Sequence, residues 1–522
     1  MNIGIVNIYS FRPHVQHSFF LAKLLADENH KLFFLTCDSD VTFCYPKILK
    51  NTSTIKECTK CMAGGLRSYT NRSISSVSNY AAKEPVLDEH SLYEISLSSS
   101  CTLNRTESEE EWSEQIIAQT RDKLSEPIQK VFSATCAWIK DNGIEAVICF
   151  NGRMDLPRAV TYACEKSGIP YVTHERTWFG DGLLLNPNAN CLSIESVDKM
   201  VKLFRDKPLC FEQAAYAAWL VAIRFMGKNH LEWRLYNQGA LDKPWPVATN
   251  LPKILVVPSS KNEFAGHSEW LTEWRDNTQA LDDYMDVFNI KPEQVVIRFH
   301  PNWGENIGKV AGERSRRVYK NWCEQRNIHY IDCEDRTSTF RLITEADVVV
   351  MNGGSSAIEA GFCGKDVVCL GPSTYQNAGF VKSYLSRNDM KKQLDIDRDK
   401  VNPIDQIRMT LRFVYLRAKR HPQFTDHVIA DSTTSYTYRN GASAEKIIRI
   451  FNTGTLDPDD ESYASDTSAE DEIIKLVMES NWEKVAAAYK PKQNQFDKMR
   501  VERRRGLRWI DRARNLFPRG DR

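Results

Sequence analysis

Short runs of β-branched and apolar residues, each closing on a polar loop, recur along this chain and constrain its fold more than any other feature. The first half carries "IGIVNI" from Ile3, "KLFFLTC", "GIEAVICFNGR" and "IPYVTHE". The second half carries "KILVVPSS", "EQVVIRFHP", "IHYIDCED", "EADVVVMNGGSS" and "KDVVCLGPS". Stretches of helical spacing such as "HSFFLAKLLADENH" and "PRAVTYACEKSG" lie between the early runs. Strand–helix–strand alternation calls for parallel sheets covered on both faces. At 522 residues the chain exceeds one ordinary core, so the pattern predicts an α/β protein of two doubly wound domains. Ligands of such sheets sit beyond the C-terminal strand ends, so chemistry is expected in those loops.

The predicted division is a first domain over residues 1–245, carrying a Cys-rich insertion at 37–61, and a second over 250–451. The prolines of "DKPWPVATNLPK" mark the crossing. Residues 452–471, "NTGTLDPDDESYASDTSAED", have the composition of an acidic flexible linker, and residues 472–522 form a basic helical tail. Residues 62–105, rich in Ser, Thr and Asn, read as an irregular excursion. "MNIGIVNIYSF" reads as a first strand and not as a secretory signal, and "AAYAAWLVAI" (214–223) as a buried helix and not a membrane span. A net charge of +1 gives no global pull toward nucleic acid. The sequons at Asn51, Asn71 and Asn104 are read as accidental.

"MNGGSSAIEAG" follows the strand run "ADVVV". Gly353 and Gly354 permit a tight turn that a ligand can approach closely. Ser355 and Ser356 fit the start of a helix, where unpaired N–H groups favour phosphate. Glu359, one turn in, suits ribose hydroxyls. Arg298 and His300 end another strand of the same set. Ser259, Ser260, Lys261 and Glu263 end a third. Three strand ends with anion-binding chemistry predict a site for the phosphates of an activated sugar.

The runs "PSSKNEF", "IRFHPN" and "NGGSSAIEAGFCGKDVVCLG" resemble the C-terminal domain of bacterial capsule and surface-polysaccharide glycosyltransferases of the GT-B fold. The His-Pro and Ser-Ser pairs are similar to those of bacterial sialyltransferases and Kdo transferases. The resemblance spans about residues 255–380. It implies two Rossmann-like domains facing across a cleft, His300 with Ser355 and Ser356 on a donor phosphate, Glu359 on the ribose, and a CMP-sugar favoured slightly among donors.

A transferase of that kind carries its acceptor site and base on the first domain. An inverting transfer needs a carboxylate or imidazole to take the acceptor proton, and no catalytic metal is expected, since Arg, Lys and a helix N-terminus can hold the leaving phosphate. Glu175, which ends an apolar strand, is the first candidate base. Asp181 and His174 follow, and Arg153, Asp155, Arg12, His14 and His17 lie in neighbouring strand-end loops.

Cys37, Cys44, Cys58 and Cys61 could supply a complete structural zinc shell, with an iron–sulfur cluster or free thiols as alternatives. Residues 498–522 hold ten Lys/Arg against three Asp/Glu. Trp509, Ile510, Ala513, Leu516 and Phe517 share one helical face, with Arg504, Arg505, Arg508 and Arg512 opposite. That pattern fits an interfacial helix on an anionic membrane.

The expectation is therefore a cytoplasmic glycosyltransferase, peripheral on the inner membrane face. It would act on a nucleotide-sugar donor and a glycan or lipid-linked glycan acceptor, without nucleic acid. The competing readings are a GT-B sugar-nucleotide epimerase, a CDP-glycerol-type phosphotransferase and a non-catalytic scaffold.

Overall fold

The computed structural model describes residues 1–80, 84–232, 239–307, 310–394, 401–491 and 497–516. Two six-stranded sheets organise it. The first is built from β1 (Asn2–Asn7), β2 (Lys31–Thr36), β3 (Ser75–Ser76), β4 (Ala146–Phe150), β5 (Tyr171–Arg176) and β6 (Leu183–Pro187), in the order β3-β2-β1-β4-β5-β6. All neighbours are parallel except β5 and β6. The second is built from β7 (Ile254–Val256), β8 (Val295–Arg298), β9 (His329–Ile331), β10 (Val348–Met351), β11 (Asp366–Leu370) and β12 (Lys382–Tyr384). Its order is β9-β8-β7-β10-β11-β12, parallel throughout.

Both sheets thus run 3-2-1-4-5-6, the doubly wound order, which reverses direction between the first and fourth strand. The predicted α/β class, with two Rossmann-like domains in the GT-B arrangement, is what the chain adopts. The strands are apolar because both faces are covered: Ile3, Ile5, Val147 and Ile148 in the first sheet, and Leu255, Val296, Val349 and Val367 in the second, are fully buried.

The two cores exchange segments, so the predicted division at 245/250 and 451 does not follow the packing. Helices Glu195–Phe204 and Phe211–Phe225 pack in one cluster with Leu255, Val349 and Val367 of the second sheet. "AAYAAWLVAI" is accordingly a buried helix, and among the described residues no helix is long and apolar enough to cross a membrane. Conversely, the hairpin β13 (Val428–Ser432) and β14 (Ser435–Tyr438) and the helix Glu445–Thr453 pack in one cluster with Ile3 and Ile5 of the first sheet and Phe20 of the helix His14–Asp27. Hydropathy shows that such segments are amphipathic but not which sheet they cover.

The acidic stretch 452–471 is not a loose linker. Asp459 accepts from the backbone N–H groups of Phe424 (3.1 Å) and Thr425 (2.8 Å), and Asp460 accepts from Gln213 Nε2 at 2.9 Å. Two of its acids are spent on donors of other segments, which composition cannot reveal. Likewise residues 89–104 of the "irregular" excursion form a helix, Glu89–Asn104. Ser96 and Ser100 return their hydroxyls to Leu92 and Ser96 carbonyls, so a serine-rich sequence stays helical while buried.

Glu470 fastens the last part of the fold. Fully buried, its carboxylate is held by Arg412 through two bonds of 2.8 Å and by the Leu209 N–H at 2.8 Å. Removing one member of such a buried pair strands the other. Glu470→Ala is expected to destabilise the protein by about 3–5 kcal/mol, read as a lower denaturation midpoint.

Candidate functional site

The switch points of the two sheets open onto one cleft of roughly 2350 Å³, larger than the 300–1,000 Å³ that holds one small ligand. From the first sheet it is lined by the loops after β1 (Tyr9, Ser10) and β4 (Asn151, Arg153) and by Glu175 at the end of β5. From the second come Ser259 and Ser260 after β7, His300 after β8, and Gly353, Gly354 and Ser355 after β10.

The second-sheet wall is built by two interlocked loops. Asn352 Oδ1 accepts the Ser259 N–H at 2.7 Å, and Asn352 Nδ2 donates to the Ser259 carbonyl at 2.8 Å. Gly353 has φ +94°, a conformation that favours glycine, and a Cβ on Gly354 would lie 2.6 Å from Ser259 Oγ and turn that hydroxyl aside. Tyr375 Oη donates to the Gly354 carbonyl at 3.2 Å. His300 Nδ1 accepts the Asn302 N–H at 3.2 Å, which puts the ring proton on Nε2. Burial pushes this imidazole down to about 4, so it is neutral. Ser260 Oγ accepts from Trp303 Nε1 at 2.9 Å.

Other predicted donor residues are placed elsewhere. The helix behind the turn, Ser356–Phe362, has only seven residues, and Ser356 does not line the cleft. Glu359 is buried at 1% exposure and pairs with Arg224 at 2.8 Å, so it faces the core and not a ribose. Arg298 spends its guanidinium on the Asp332 and Asp335 carbonyls (2.7 Å to Asp335). Lys261 Nζ turns away to Thr272 Oγ1 and the Trp274 carbonyl. Glu263 does line the cleft, 3.9 Å from Arg153. A strand-end motif fixes where a residue sits but not which way its side chain leaves the strand.

On the first-sheet wall Glu175 is the carboxylate at the strand end. It accepts from Asn151 Nδ2 at 3.1 Å and stands 3.0 Å from His14 Nε2. Burial pushes its carboxyl up to about 7, against the hydrogen bonds and the Arg176 and Arg153 charges that pull it down. Burial together with Arg176 pushes His14 down to about 3. A neutral His14 can donate Nε2–H to the Glu175 carboxylate and orient it.

His174 is fully buried, bonded to Ser18 at 2.8 Å, and does not reach the cleft. His17 is held by Tyr438 Oη at 2.9 Å. Asp181 accepts the Ala430 N–H at 3.0 Å and caps the β13–β14 hairpin, also outside the cleft. Asp155 is buried under Tyr9 Oη (2.5 Å) and the Tyr45 N–H, with its carboxyl raised by burial to about 6. Arg153 does face the cleft and donates to Ser98 Oγ at 2.9 Å.

Sequence reasoning missed Asn151. The signal for it was the Asn-Gly pair after β4, where Asn151 adopts φ +64°. It also missed the serine helix, whose Ser98 joins Arg153 to the Glu263 carbonyl (2.8 Å).

Cys37, Cys44, Cys58 and Cys61 all reach the cleft but do not form a coordination shell. Among the described residues no group of three or more His, Cys, Asp or Glu is arranged to hold a metal ion. Burial raises the Cys37 thiol to about 11 and lifts those of Cys44 and Cys61 as well. The tail is docked: buried Arg503 donates to Ser68 Oγ (2.5 Å) and pairs with Asp511 (3.0 Å), which also binds Arg12. The expected apolar face is split, with Ile510 at the cleft and Trp509 exposed. Phe517 lies outside the described residues.

No protein-family model and no curated protein sequence matches the chain. Among solved structures, the chain is similar to the β-Kdo 2,7 transferase of Thermosulfurimonas dismutans KpsC: 14% identity over 60% of this chain and 87% of that one, TM-score 0.34. It is also similar to the UDP-GlcNAc 2-epimerase of Neisseria meningitidis (11% identity, 80% and 96% covered, TM-score 0.28). Acinetobacter baumannii MurG is a third (10% identity, 87% and 99% covered, TM-score 0.28). These likenesses are weak, and the architecture stands on the strand orders given above.

Glu175 supplies a measurable signature. Its folded value near 7 exceeds the ordinary 4.5. The associated stability is therefore fully present below about 4.5 and is lost as pH rises through 7. Glu175→Gln is expected to melt above the wild type at pH 8, by on the order of 1–3 kcal/mol, with the gain vanishing by pH 4.5 in paired thermal melts.

Proposed function

We propose that this chain is a GT-B glycosyltransferase that moves a sugar from a nucleotide-activated donor to a glycan acceptor with inversion. The observation that carries this is one cleft with a carboxylate poised near neutral pH on one wall and a glycine–serine turn beside a neutral imidazole on the other. The cleft volume favours two substrates at once.

In this reading the acceptor hydroxyl lies against Glu175, held by His14 and Asn151. Glu175 takes the hydroxyl proton as the oxygen bonds to the anomeric carbon. The bond from that carbon to the phosphate oxygen breaks on the opposite face. The departing phosphate is held by Ser259, Ser355 and the backbone of the glycine turn, with His300 Nε2–H on the same wall. The side chains named here act as donors and base without calling on zinc, and the four cysteines are given no part. A CMP-sugar is the first donor to test. Exposed Trp509, Arg504, Arg505 and Arg512 would suit an anionic membrane surface presenting a lipid-linked acceptor, with the enzyme working from the cytoplasmic side.

The test is calorimetric and thermal-shift titration of the full chain with CMP, CDP, UDP and GDP. One nucleotide is expected to stabilise the protein, by about 2.7 kcal/mol at a hundredfold excess over its dissociation constant. Ser355→Ala combined with His300→Ala should remove that effect. Glu175→Gln should keep nucleotide binding while lowering transfer about 10²–10⁴-fold. Conversion of a nucleotide sugar without any acceptor would replace this reading by the epimerase. Absence of nucleotide binding in folded protein would refute both.

A further inference from the structure

Several cations line the cleft, and four of them are spent on carboxylates. Arg224 lies 2.8 Å from Glu359 and 3.0 Å from Glu232. Arg153 faces Glu263. Arg12 and Arg503 share Asp511. Arg417 differs. It is 5% exposed, lines the cleft, and among the described residues has no carboxylate within ion-pair distance.

Its contacts are a cation–π stack on Trp178, 4.8 Å from the ring centroid, and a 3.1 Å bond from one guanidinium nitrogen to His421 Nδ1. A guanidinium only donates, so Nδ1 accepts and the His421 proton is on Nε2. Arg417 Nε and His421 Nε2 are both buried and have no hydrogen-bond partner among the described residues. Two orphan donors and a full charge are therefore held in a desolvated wall, where they are costly unless something anionic meets them.

The backbone is unusual at the same place. The helix Pro403–Tyr415 widens into a π-helical turn, Leu416–Arg420, which carries Arg417; such turns are rare and recur at functional sites. The position relative to the donor wall is also fixed. Trp178 packs 5.9 Å from the Tyr375 ring, and Tyr375 Oη bonds the Gly354 carbonyl.

We propose that Arg417 and His421, with Trp178 beside them, form a second anion subsite next to the glycine turn, taking a carboxylate or phosphate of the substrate. That this group belongs to a sugar nucleotide or its acceptor rests on the transferase reading above; the anion chemistry itself does not. Two sources fit: the carboxylate of an acidic sugar, or a second phosphate of a nucleoside diphosphate.

The experiment uses the full chain as wild type, Arg417→Met, Arg417→Lys and His300→Ala. Thermal melts are titrated with inorganic phosphate in one arm and malonate in the other, at ionic strength held constant with chloride. The anion-dependent rise in melting temperature should persist in His300→Ala, and in Arg417→Met should need about ten- to hundredfold more anion. Arg417→Lys should recover part of that affinity. Without anion, Arg417→Met should melt at or above the wild type, because it removes an uncompensated buried charge. A stronger malonate response identifies the carboxylate source, and a stronger phosphate response the second phosphate.

The proposal is overturned if Arg417→Met keeps the full response, if neither anion shifts the wild type, or if His300→Ala alone abolishes the shift. It is equally overturned if Arg417→Met melts well below the wild type without anion, since Arg417 would then be a structural cation. Nucleotide binding with no Arg417-dependent anion response would leave the transferase reading standing without this subsite. The reverse result would leave the subsite standing without that reading.

Discussion

The cleft depends on how a buried, serine-rich helix satisfies its hydroxyls between two sheets. An orphaned buried hydroxyl costs about 1–3 kcal/mol, and the helix Glu89–Asn104 buries Ser96, Ser98, Ser99 and Ser100. Two return to their own helix. Ser99 accepts the Asp155 N–H at 2.8 Å, and Ser98 stands between Arg153 and the Glu263 carbonyl. The partners of Ser98 and Ser99 lie just beyond strand ends: Arg153 and Asp155 after β4, and Glu263 after β7. The same helix therefore sets the spacing of the two walls, and leads into Arg105, which donates to the Asn302 carbonyl, and Glu107, which accepts from Ser315 Oγ.

Desolvation then decides the charge states. His14, His17, His174 and His300 are all neutral because burial disfavours the imidazolium. The same effect lifts Glu175 and Asp155. A single cause thus converts histidines into hydrogen-bond donors and one carboxylate into a base matched to neutral pH. Arg417 is too strong a base to discharge in this way, for burial brings it down only to about 10, so its charge persists.

Nine of the twelve sheet strands and the doubly wound class were legible in the sequence because continuous apolar runs ending in polar loops have few other solutions; the edge strands β3, β6 and β12 were not. Glu175, Ser259, His300 and the glycine turn were legible as strand-end residues. What was not legible depends on side-chain direction and on contacts distant in sequence. Arg298, Lys261 and Glu359 sit in the right motifs but point into the protein. Asp181 and His174 lie within seven residues of Glu175 and are spent on Ala430 and Ser18. Arg417 and His421 sit in a helix more than 230 residues beyond Trp178, without a motif to mark them.

The exchange of segments between the cores has a consequence for how the protein is made. The helix His14–Asp27 lies on the Ile3 and Ile5 face of the first sheet, and its Phe20 is backed in turn by Phe424 and Tyr438, in one cluster with Val428 and Ile447. While the ribosome is still adding the second domain, the earliest strands have emerged but lack this cover. N-terminal domains usually fold first during synthesis; here part of the first core's cover is made more than 400 residues after β1, so that core stays incompletely covered until then.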